Sequence, residues 1–191
     1  MSAGQREYLL EAAVPVASLS RQDGAVVIVR CTRKLLKRIG PPARLGPAST
    51  TLLGDWYGTY LPWRPRQVAL MVNERTLLPV LVPLAPAATL LRRFTDQLSA
   101  VLAAHQIPEA VASAEVSATR YAWPSTTSNR SVVGSMNEFA FLAEANRHAE
   151  GSVTDLVDLS VKLARTPCGP LYNSHVSPDR ELRALLADLS E

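Results

Sequence analysis

Cysteine and histidine are scarce in this chain. Two cysteines, Cys31 and Cys168, and three histidines, His105, His148 and His175, are scattered over 191 residues. None of the short Cys/His spacings of a zinc site occurs, and there is no dense cysteine framework of the kind that staples small secreted domains. Two reduced thiols, no metal and no cofactor are therefore expected. Long apolar runs are missing too. The longest, Leu77 to Leu84, contains Pro79 and Pro83 and falls far short of the roughly 20 residues a membrane helix needs. The opening residues MSAGQREYLLEAA hold Arg6, Glu7 and Glu11 and lack the basic-then-apolar profile of a secretory signal. A cytoplasmic chain without membrane association is expected. P-loop, dinucleotide fingerprint, G-x-S-x-G elbow and H-E-x-x-H are all absent, which removes the reaction classes those motifs mark.

What is present has the composition of an ordinary globule, 47% hydrophobic and 19% charged, and its length suits one full core. Lysine is rare among the cations, 3 of 20, and the net charge is only +3. The distribution is more telling than the total. Between Ala25 and Arg66 stand Arg30, Arg33, Lys34, Lys37, Arg38, Arg44, Arg64 and Arg66 against Asp55 alone, so the rest of the chain is net acidic. Basic charge gathered in one early segment points to a positive face for phosphate or an acidic partner.

Residues 1–24 read as an N-terminal extension closed by Gln22-Asp23-Gly24, and residues 25–191 as a single domain. AVVIVR (25–30) predicts a buried strand, and Thr32 suits the N-cap of a short basic helix, RKLLKRI, ended by Gly40-Pro41-Pro42. Strand is expected over 52–60, with Gly54 and Gly58 permitting a bend or bulge. QVALMV and LLPVLV flank Asn73-Glu74-Arg75-Thr76 as a hairpin buried on both faces, with Pro79 placing its arm toward an edge. A helix from Pro86 to about His105 carries the stripe Leu90, Leu91, Phe94, Leu98, Val101 and Leu102. A short helix over 108–115, a final strand over 116–123 and helices over 130–147, 153–165 and 178–189 complete the chain, with Ser152 and Asp155 as a capping box. Strands early and helices late predict an α+β fold. Its sheet is expected to be mostly antiparallel, built from the N-terminal half and packed against helices of the C-terminal half.

Five blocks in order carry a resemblance: RCTRKLLKR (30–38), LGDWY (53–57), NERTLLPVLVPLAP (73–86), NRSVVGSMNEFAFLAEA (129–145) and LARTPCGPL (163–171). Over about residues 26–188 the chain resembles an uncharacterised bacterial family known only as a domain of unknown function. The resemblance implies a bacterial origin and no chemistry.

Three sets of residues are candidates for a site. The stretch Ser125–Ser131 is polar and free of acids, and it opens a long helix. Ser128, Asn129, Arg130 and Ser131 there can hold an anion at the helix N-terminus, or Ser128 or Asn129 can simply cap the helix. Ser135 and Glu138 share a helix face with Ser131, giving a polar pocket with Glu138 as ligand or general base, or a structural network in which Glu138 bonds Arg30 or Arg75. Arg33, Lys34, Lys37 and Arg38 form a solvated helix face or a basic patch for nucleic acid, and nearby Trp56, Tyr57, Tyr60 and Trp63 suit single-stranded nucleic acid or the core. Cys168 lies seven residues from His175, but Gly169-Pro170 turns the chain between them. The expectation ranked first is a phosphate-contacting module for nucleic acid or a nucleotide. The alternatives are an enzyme using Glu138 with Arg130 and Ser131 or Ser135, and a protein-interaction module of a bacterial two-protein system.

Overall fold

The computed structural model describes residues 25–43, 48–149 and 155–187. Its elements are β1 (Val27–Cys31), α1 (Arg33–Ile39), β2 (Trp56–Leu61), β3 (Val68–Asn73), β4 (Pro79–Pro83), α2 (Leu90–Ala104), α3 (Glu109–Thr119), β5 (Ala122–Thr126), α4 (Arg130–Ala149), α5 (Leu156–Ala164) and α6 (Pro178–Ala187). Ser152 and the extension 1–24 lie outside the described residues. Among those described, no helix is long and apolar enough to cross a membrane.

The strands form one sheet in the order β4-β3-β2-β1-β5. It is α+β as expected, but the sheet is mixed. β1 runs parallel to both β2 and β5, while the pairs β2–β3 and β3–β4 are antiparallel. The reason is in the connections. α1 carries the chain away from the end of β1, and the following segment returns it to the start of β2; α2 and α3 do the same before β5. A strand reached by a crossover must enter parallel, whereas the short turn after Asn73 permits only a hairpin. β5 also corrects the expectation of a sheet built from the N-terminal half, since it comes after α2 and α3. Residues 116–119, expected as strand, complete α3 instead. Alanines at 110, 112, 114 and 118 favour helix, and that helix buries Ala112, Glu115, Ala118 and Thr119 along one side.

Alternation along the strands builds two cores. Val27, Val29, Cys31, Trp56, Ala69, Met71, Val80 and Val82 face α1, α2, α3 and α6, including Leu35, Phe94, Leu98 and Leu182. Trp56 meets Phe94 edge-on with ring centroids 5.0 Å apart, an arrangement the ring quadrupoles favour. Tyr57, Leu61, Val68, Leu70, Val72 and Leu81 face α4 through Val132, Met136, Phe139 and Ala143. The hairpin is thus buried on both faces. Gly58 marks a close approach rather than a bulge. A Cβ there would stand 2.9 Å from both Leu35 Cδ2 and Met71 Sδ, so a larger residue would force the Leu35 and Met71 side chains to shift where α1 seats.

β4 is an edge strand, as Pro79 implies, and α5 covers it. Ser160 on α5 accepts a hydrogen bond from the Leu81 N–H at 2.9 Å and donates to the Leu156 carbonyl at 2.6 Å, so the edge presents no open donor at Leu81. Asp155 is itself the N-cap of α5, accepting from the N–H groups of Val157 and Asp158. Thr32 sits at the N-cap of α1 without a side-chain cap bond; its hydroxyl pairs with that of Thr59 at 3.1 Å.

Candidate functional site

The start of α4 is closed by the chain's own groups. Asn129 caps the helix, its Oδ1 accepting from Ser131 N–H at 3.0 Å and Val132 N–H at 3.4 Å. Its own N–H donates to the Tyr57 hydroxyl, which also lies 3.1 Å from Ser128 Oγ and donates to Glu74 Oε1. Asn129 Nδ2 donates to the same Glu74 oxygen at 3.2 Å. The stretch has no acid in sequence, but the β3–β4 turn delivers one in space. Glu74 therefore supplies the negative charge that the helix dipole favours. Arg130 and Ser131 point outward and are exposed, and Arg130 has no partner among the described residues.

A second network joins this one at the same end of the sheet. Arg30 Nε pairs with Asp55 Oδ2 at 2.6 Å, and Ser49 donates to the other carboxylate oxygen. Asn73 is fully buried and ties the turn together. Its Oδ1 accepts from Arg75 N–H, Thr76 N–H and the Thr76 hydroxyl, and its Nδ2 donates to the Leu53 carbonyl at 2.9 Å. Arg75 reaches the Leu52 carbonyl at 2.8 Å. Neither Arg30 nor Arg75 is bonded to Glu138, which is exposed on α4 while Ser135 is buried. The expected network around Glu138 is corrected accordingly. Both arginines find partners near their own strand ends, and Glu138 stays in water. Ser135 and Glu138 do not converge.

Behind this end, Glu115 on α3 is 4% exposed among Leu53, Leu102, Ile107, Val111, Ala112, Leu182 and Leu186, in a cleft too narrow for a water. One carboxyl oxygen accepts the Leu53 N–H at 3.2 Å and the other has no hydrogen-bond partner. Burial pushes its pKa up against the opposing pull of the bonds from the 51–53 turn and of Arg75.

The other end of the sheet is different. β1, β2 and β4 all run toward it, and the segments that follow them, 32–43, 62–67 and 84–93, contain no aspartate or glutamate. β5 runs the same way but stops level with Cys31 and leads into α4 on the opposite face. The three segments carry Arg33, Lys34, Lys37 and Arg38 on α1, Arg64 and Arg66 after β2, and Arg92 and Arg93 at the start of α2. α1 turns Leu35 inward and all four of its basic residues outward, and it touches the turn at Ala87–Thr89 that leads into α2. Arg93 is structural: it donates to the carbonyls of Pro83, Leu84 and Pro86 and to Thr89 Oγ1. Arg38 lies over the Tyr60 ring, 4.8 Å from its centroid. The remaining six cations, Arg33, Lys34, Lys37, Arg64, Arg66 and Arg92, are exposed without a partner among the described residues. α4 brings Glu144 toward this end already paired with Arg147 at 2.7 Å.

α1 and α4 pack on opposite faces of the sheet, so the basic patch and the start of α4 are two places and not one. The thiols are inert. Cys31 and Cys168 are free, belong to different core clusters, and burial raises each to about 12, with Glu138 adding to the shift at Cys168. Among the described residues no group of His, Cys, Asp and Glu is arranged to hold a metal. Sequence reading missed Asp55, Tyr57 and Glu74 as partners because, the Ser49–Asp55 bond apart, their side-chain bonds join residues 17 to 72 positions apart. A short polar motif gives no sign of such pairings.

The family model of a domain of unknown function, DUF6933, matches residues 28–181. No curated protein and no solved structure matches the chain.

Proposed function

The chain belongs to the DUF6933 family of domains of unknown function, and on its own residues we propose that it is a binding module that contacts phosphates of a nucleic acid through its basic end. One observation carries this reading: the segments leaving the carboxyl ends of β1, β2 and β4 hold exposed, unpaired cations and no acid. Cations kept for stability are usually paired, as Arg30 is with Asp55 and Arg147 with Glu144. Cations left unpaired and clustered raise the local potential, attract polyanions and release counterions on binding. Three separate segments supply them, which suits a polymer of phosphates better than the compact phosphate group of one nucleotide.

Fluorescence anisotropy with a labelled oligonucleotide tests the reading. Wild-type protein binds at about 50 mM salt and loses affinity steeply toward about 200 mM, as counterion release requires. The variant with Arg33, Lys34, Lys37 and Arg38 all changed to glutamate does not bind, yet retains the wild-type circular dichroism. Failure of wild-type protein to bind at the lower salt refutes the proposal.

A further inference from the structure

We infer that the nucleic acid at the basic end is a duplex gripped through its phosphates, not a single strand stacked base by base; this rests on the reading proposed above. A single-strand binder needs aromatic faces open beside its cations, because stacking supplies much of the affinity. Among the described residues, the rings on β2 and in the segment that follows it are already used. Tyr60 packs against the first core cluster, carries the Arg38 guanidinium over its ring at 4.8 Å, and accepts from Arg38 through its hydroxyl. Trp63 is 5% exposed and lies under Arg147 at 5.2 Å. Trp56 and Tyr57 are fully buried. Trp123 is partly exposed, but it pairs with Ile28 near the start of β1, at the far end of that strand from α1.

The cations themselves suit a dense array of phosphates. Arg33, Lys34, Lys37 and Arg38 occupy positions i, i+1, i+4 and i+5 of one helix, so they share one side and spread over about 7–8 Å of axis. A duplex presents one charge per about 1.7 Å of its axis, and a single strand about half that density. Several phosphates can therefore be engaged at once on a duplex without any base being read, and affinity depends on charge density and salt but little on sequence.

The experiment compares a short duplex with its separated strands, using the full chain and following anisotropy together with tryptophan emission. The duplex is expected to bind at least about fivefold tighter than either strand, with emission unchanged in all cases. Changing Arg33, Lys34 and Lys37 together to glutamine lowers duplex affinity at least about tenfold and reduces the salt slope by about three, one for each phosphate no longer neutralised. Tyr60→Leu changes duplex and single-strand affinity by the same factor, to within about twofold, since no base stacks on that ring. Equal or tighter binding of the strands, or quenched emission on binding them, overturns the inference and leaves the basic end as a phosphate-binding surface. Binding to neither form at about 50 mM salt overturns the proposed function itself.

Discussion

The two ends of the sheet both carry charged residues and use them in opposite ways. At the turn end, Asp55, Asn73, Glu74 and Arg30 are bonded to one another, to Tyr57, or to backbone. At the other end, Arg33, Lys34, Lys37, Arg64 and Arg66 stand exposed without partners among the described residues. A polar group withdrawn from water costs free energy unless it is paired, so the turn end had to be closed for the fold to be stable. Exposed cations carry no such penalty and remain free for a partner. The difference teaches that, in this chain, charge in a network reports on folding, whereas charge without one is where binding is to be sought.

Substitutions at the turn end break the comparison on the stability side. The largest effect is expected for Asn73→Leu, which leaves the N–H groups of Arg75 and Thr76 and the Leu53 carbonyl without partners in a buried turn. A loss of about 3–5 kcal/mol in urea unfolding is expected. Asp55→Ala follows, at about 2–3 kcal/mol, because it strands Arg30 and Ser49 but at a position where water still reaches the guanidinium. A loss below about 1 kcal/mol for Asn73→Leu would show that the turn end is not the tightly determined part of the molecule.

Glu115 sharpens the same contrast through pH. Its folded pKa lies above the ordinary carboxylate value of 4.5, so the folded state takes up its proton more readily than the unfolded chain. The stability this gives is complete below the ordinary value and is lost as pH rises through the raised folded pKa. Glu115→Gln keeps an acceptor for the Leu53 N–H and removes the titration. Its melting temperature should exceed that of wild type by more at about pH 8 than at about pH 4. An equal offset at both values would mean that burial does not raise the Glu115 carboxyl above its ordinary value.

The smallest effect on stability belongs to the basic end. Changing Arg33, Lys34 and Lys37 together to glutamine is expected to shift unfolding free energy by no more than about 0.5 kcal/mol, as is Arg130→Ala at the exposed start of α4. A larger loss would show that these cations support the fold after all, and the contrast between the two ends would fail.

Much of the fold was legible from local pattern. The hairpin over 67–82, the amphipathic stripe of α2 and the edge position implied by Pro79 all follow from period and from proline's missing N–H, which act over a few residues. Where local signals conflicted, the reading failed. Val116 to Trp123 looks like a strand by its valine and aromatic residues, yet alanine content and a buried face complete α3 through Thr119. The basic patch was visible as a cluster of cations in one helix. Arg64 and Arg66 belonged to the same basic segment by sequence, but that Arg92 joins this end while Arg30 is paired at the other was not visible, because strand direction decides which segments emerge together.

The sequence by itself determined the α+β class, most of the elements, the concentration of basic charge in residues 25–66 and the absence of short-spaced metal or nucleotide motifs. These are properties of composition and of spacing within a few turns of chain. Only the tertiary structure decided the parallel pairing of β1 with β2 and β5, the arrival of Glu74 at the start of α4, the separation of that helix start from the basic patch, and the covering of Tyr60 and Trp63 by the chain's own arginines. Each of these joins residues distant in sequence. Such pairings are fixed by how crossovers return the chain and how two cores close on one sheet, and no local pattern encodes either.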